Sequence, residues 1–75
     1  MREGLLWFDD SPQRELAEKV KQAAQRYQQK FGLAADVCYV NQVALTKEEW
    51  RVEQVRVLPL PTIRPHHFWI GRAGA

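Results

Sequence analysis

The residues with chemical potential in this 75-residue chain are few and scattered. Asp9 and Asp10 are adjacent acids, His66 and His67 are adjacent histidines, and Cys38 is the single cysteine. Two neighbouring carboxylates just after a strand could hold a magnesium ion, which takes oxygen ligands. Their competing role is to cap and charge-match the start of the helix that follows. Histidine is a common metal ligand and general base, but consecutive residues on a strand point to opposite faces, so His66 and His67 are poorly placed to share one ion. A nucleophilic set of Cys38, a histidine and Asp9 or Asp10 can be written on paper. Cys38 lies within an apolar run with no helix N-terminus to activate it, which favours a packed thiol.

Basic and aromatic residues concentrate at the end of the chain. From Gln54 onward there are three arginines (Arg56, Arg64 and Arg72), both histidines, Phe68 and Trp69, and no acid. Interleaved basic and aromatic side chains can stack bases and contact phosphates of a single-stranded nucleic acid. The competing reading makes the aromatics core and the arginines solubilising edge charges. A formal net charge of +2 is low for a dedicated nucleic-acid binder. One cysteine excludes an internal disulfide and a cysteine zinc cage, and fits a reducing cytoplasm, the expected compartment. Nothing resembles a signal peptide or a membrane span, and no Walker, zinc-finger or nucleophile-elbow pattern occurs. Pro59, Pro61 and Pro65 miss the spacing of a polyproline ligand. No cofactor is expected.

The elements that must carry these residues follow from periodicity. Leu5-Leu6-Trp7-Phe8, Val37-Cys38-Tyr39-Val40 and Phe68-Trp69-Ile70 are short continuous apolar runs, as in strands covered on both sides. Ser11 and Pro12 predict a helix start, and Gly32 a left-handed stop after Phe31. Between them Leu16, Val20, Ala23, Ala24, Tyr27 and Phe31 form one apolar stripe at the helical period. Ala35–Val40 is the second strand. Thr46-Lys47-Glu48-Glu49 matches a capping box and predicts a short helical turn through Trp50. A third strand begins near Val55, and His66–Ile70 is the last, with 71–75 a frayed tail.

The chain is thus expected to be one small domain, 1–75, of the α/β (α+β) class. It is a two-layer β-α-β-(short α)-β-β sandwich with a mixed sheet covered on one face by the long helix. The crossover suggests a parallel pair from the first two strands and an antiparallel pair at the end.

Trp7-Phe8-Asp9-Asp10, Val37-Cys38-Tyr39-Val40-Asn41 and Pro65-His66-His67-Phe68-Trp69-Ile70-Gly71 resemble segments of small uncharacterised bacterial proteins, a family of unknown function. The likeness spans most of the chain and implies no activity.

The apolar strand surface exceeds what one helix can cover, so a second sheet face needs an occupant. The functional expectation is a non-enzymatic interaction or assembly domain, a homodimer or a subunit of a larger assembly. Its interface anchors are drawn from Trp7, Phe8, Phe68 and Trp69, since aromatics dominate interface hot spots. Two alternatives stand beside it. One is a nucleic-acid module using Arg56, Arg64 and Arg72. The other is a metal-dependent hydrolase or nuclease using Asp9, Asp10 and one of His66 and His67.

Overall fold

A computed structural model describes residues 3–45 and 50–74. Five strands and one helix alternate in the order β1 (Gly4–Phe8), α1 (Leu16–Phe31), β2 (Val37–Asn41), β3 (Trp50–Val52), β4 (Val55–Leu60) and β5 (His67–Gly71). They form one mixed sheet of order β1-β5-β2-β4-β3, with α1 packed on one face. The α+β class with one helix on one side of a small mixed sheet therefore holds.

The connectivity departs from the simple crossover. β1 and β2 run the same way but do not pair, because β5 inserts between them, antiparallel to both. The parallel neighbours are instead β2 and β4. β4 and β5 are separated by β2, so the chain from Pro61 to His66 passes across the end of β2 rather than forming a hairpin. Asn41 fastens that passage: its side-chain amide donates to the Ile63 carbonyl at 2.7 Å, and its Oδ1 accepts from the Val43 N–H.

Three local expectations change. The helix begins at Leu16, not at Pro12, with Glu15 at the N-cap and no side-chain cap. The cause is Asp9, whose Oδ1 accepts the Ser11 N–H at 2.9 Å and bends the chain into a turn through Pro12. Trp50 lies on edge strand β3, not on a helical turn, because Trp50–Val52 folds back on β4 through the two-residue turn Glu53-Gln54. Glu53 takes a positive φ of 54°, as the tight turns that suit a twisted hairpin require. The capping-box residues Thr46–Glu49 lie outside the described residues. The tail is held further than expected: Gly71 is buried in β5, Arg72 donates to the Ala34 carbonyl, and the Ala73 N–H donates to Asp36.

The helix ends as its sequence requires. Gly32 adopts φ 74° and its N–H closes on the Gln28 carbonyl. Val20, Ala23 and Tyr27 are buried, and Leu16, Ala17, Ala24 and Phe31 pack around them. The sheet meets this stripe with Cys38, Val40, Val52, Val55, Val57, Phe68 and Ile70. Pro59 is tolerated inside β4 because β3 pairs only with Val55–Val57, leaving Pro59 beyond the last ladder bond on that side.

Candidate functional site

Strand register assigns every side chain to a face. Leu5, Trp7, Phe68, Ile70, Cys38, Val40, Val57, Trp50 and Val52 belong to the helix side. Alternation then places the remaining strand residues on the other side, where no described helix packs.

That helix-free face has three rows. The middle row runs Leu6, Trp69, Tyr39, Leu58 across four adjacent strands. Above it Phe8 pairs with His67, and Asn41 with Leu60. Below it lie Gly4, Gly71, Val37, Arg56 and Arg51. Leu6 and Phe8 are 59% and 53% exposed, while Trp69, Tyr39 and Leu58 are half-buried. Among the described residues no strand places a carboxylate on this face.

The four expected interface aromatics divide cleanly. Phe68 is core, and Trp7 packs under α1 with the Arg26 guanidinium 5.4 Å from its ring. Trp7 Nε1 is enclosed without a hydrogen-bond partner among the described residues. Phe8 and Trp69 are the two left available to a partner. The signal that separates them is the period of two, but only once one residue's face is known. Leu6, Tyr39, Leu58 and Arg51 complete the face and were not singled out from the sequence. Their adjacency arises from pairings between distant strands.

Both histidines gather at one end of this face. His66 is not an extended strand residue: it has φ 66° and precedes β5. Strand alternation therefore does not apply to His66, and both rings approach Phe8, His67 at 5.0 Å and His66 edge-on at 6.4 Å. His67 Nδ1 lies 2.9 Å from the Pro65 carbonyl. A carbonyl only accepts, so in this contact Nδ1 carries the hydrogen.

Asp9 stands at the same corner, its N–H donating to the His66 carbonyl at 3.0 Å. Its carboxylate is already used. Ser11 N–H donates to Oδ1 and Arg14 to Oδ2 at 3.3 Å, and the Ser11 bond above all holds its pKa below the ordinary carboxylate value against the opposing effect of burial. Asp10 is exposed beside it. Among the described residues no three of His, Cys, Asp and Glu come together as a metal-holding group.

Cys38 is fully buried on the helix side, and burial pushes its thiol up to about 12. No histidine of the described set reaches it by hydrogen bond, so the paper triad does not form. The arginines also separate. Arg56 lies in the lower row directly across from Arg51, Arg72 is bound to Ala34 at that same end of the sheet, and Arg64 is exposed on the connection at the opposite end. No described helix is long and apolar enough to cross a membrane. In comparisons with known proteins the chain matches no family model, no curated protein and no solved structure, which agrees with a resemblance that carries no activity.

Proposed function

We propose that this domain is an assembly module that self-associates through its helix-free sheet face. The observation that supports the reading is the middle row, Leu6-Trp69-Tyr39-Leu58, flanked by Phe8: a continuous apolar and aromatic strip on the face where no described helix packs. Complete burial of a side chain of this kind is worth about 1.5–3 kcal/mol. A second copy fits the size of the face. Five strands about 4.8 Å apart and five residues of about 3.3 Å give about 400 Å² of flat area. A standard interface buries about 800 Å² per partner, so association belongs to the weak, concentration-dependent class.

Sedimentation velocity or light scattering from low to high micromolar concentration tests this. The expected mass rises from 8.8 kDa toward twice that value. Leu6→Lys with Phe8→Ser should keep the chain monomeric with its melting temperature unchanged. A wild-type monomer throughout rejects the reading.

A second reading has its own support. Tyr39 and Trp69 are cross-strand neighbours, and Arg56 and Arg51 face each other one row below. Aromatic side chains on adjacent central strands with nearby cations make a stacking platform for single-stranded nucleic acid. A labelled oligothymidylate should then bind with an affinity that falls steeply with salt. Absence of binding at low salt rejects it.

A further inference from the structure

The two edges of the sheet are built differently. β3 is a short edge of three residues with Arg51 at its centre. The Lys21–Glu53 ion pair stands just past its end. Shortness and charge are the usual devices that keep a sheet edge from pairing with another chain. β1, at the other edge, has neither. It is five residues long, Gly4-Leu5-Leu6-Trp7-Phe8, without charge or proline. Its register with β5 runs through all five positions without a bulge.

The ladder fixes which main-chain groups this edge presents. Asp9 continues the register opposite His66, and its N–H donates to the His66 carbonyl at 3.0 Å. Hydrogen-bonded and non-hydrogen-bonded pairs alternate along an antiparallel ladder. Leu5 and Trp7 therefore also bond to β5. Gly4, Leu6 and Phe8 turn their N–H and C=O groups to the outer edge, where no described strand lies. The Leu6 and Phe8 side chains are exposed as well.

We propose that β1 pairs antiparallel with β1 of a second copy, with Leu6 on the two-fold axis, joining the two sheets into one. Edge pairing leaves the helix-free face open, so this inference goes beyond the face reading and does not rest on it.

The strand is its own complement in this register. Leu6 meets Leu6 of the second copy, and Gly4 meets Phe8 at both ends. These are the hydrogen-bonded pairs, each exchanging both main-chain bonds, so every outward group of β1 is used. Leu5 and Trp7 become cross-strand neighbours on the helix side. No charge enters the ladder, and no two aromatic side chains are set directly opposite each other. Just past it Glu3 approaches Asp9 of the second copy, whose carboxylate Arg14 already engages at 3.3 Å. A foreign strand fits the same main-chain groups without this match of side chains. The joined sheet then ends in β3 on both sides. Both ends are blunted, so the assembly closes as a dimer and does not propagate. On the helix-free face the strips of the two copies meet at Leu6 and form one continuous row.

Sedimentation velocity and amide hydrogen exchange on the whole chain test the pairing. Wild type is expected to dimerise as concentration rises, and exchange at the Leu6 and Phe8 amides to slow with it. The Leu5 and Trp7 amides, already bonded to β5, should be protected at every concentration. Leu6→Pro removes the N–H on the axis, which makes no bond among the described residues, and proline is tolerated at an outward edge position. This variant should stay monomeric. Leu58→Lys, on β4 and away from the edge, should still dimerise. A wild-type dimer whose Leu6 and Phe8 amides exchange as fast at high concentration as at low overturns the edge pairing, whether or not Leu6→Pro folds. A dimer kept by Leu6→Pro and lost in Leu58→Lys also overturns it, and leaves the face reading standing. A wild type that stays monomeric at every concentration removes both.

Discussion

Cys38 illustrates how environment decides what a chemically capable residue does. Its thiol is enclosed among Val40, Val57 and Ile70, and desolvation of the thiolate raises it from an ordinary value of 9.0 to about 12. A group raised in the folded state contributes stability that is complete below its unfolded value and disappears as pH climbs through the folded one. The fold should therefore weaken between about pH 9 and about pH 12 by an amount that Cys38→Ala removes, read by urea unfolding across that range. In native protein a thiol-reactive dye should label Cys38 only at the rate of unfolding. Asp9 works in the opposite sense. Its carboxyl is held below 3.8, chiefly by the Ser11 N–H, so its contribution is present above that value and is lost as acid protonates the folded state. Asp9→Asn keeps an oxygen for Ser11 but loses the charge that Arg14 pairs with. Its stability should fall less than that of the wild type as pH drops below about 4.

At the scale of elements, the long helix was readable because its information is local. The stripe from Leu16 to Phe31 and the Gly32 stop require only the 3.6-residue period and one left-handed position. Its start was not readable, because Ser11 and Pro12 satisfy the rules for a helix start equally well as a turn, and the Asp9 side chain decides between them. The true N-cap, Glu15, contributes no side-chain bond, so Glu15→Ser should raise stability by about 0.5–1 kcal/mol in chemical denaturation. Trp50 shows the same competition. Three residues of strand pairing to Val55–Val57, with Trp50 and Val52 turned to the core, outweigh whatever local preference for a helical turn the preceding residues supply.

At the scale of the whole molecule, the two faces of the sheet should respond differently to the same kind of substitution. A domain of this length has a stability of about 4–11 kcal/mol. Phe68→Ala empties a fully packed core position and should cost about 3–5 kcal/mol, enough to unfold much of the population. Phe8→Ala, one strand position from Trp7, the cross-strand partner of Phe68, but on the open side, should change the monomer by no more than about 0.5 kcal/mol while weakening self-association. Thermal unfolding at low concentration and sedimentation at high concentration separate the two effects. By itself the sequence determined one helix with one apolar stripe, strands too apolar for that stripe to cover, and hence an open sheet face. Those are consequences of local period and of counting surfaces. Only the tertiary structure decided that β5 enters between β1 and β2, that Trp69 and Phe8 rather than Phe68 and Trp7 face outward, and that Arg51 stands across from Arg56. Strand order and register are set by pairings between residues far apart in the chain, and with a side-chain period of two a shift of a single residue exchanges the faces.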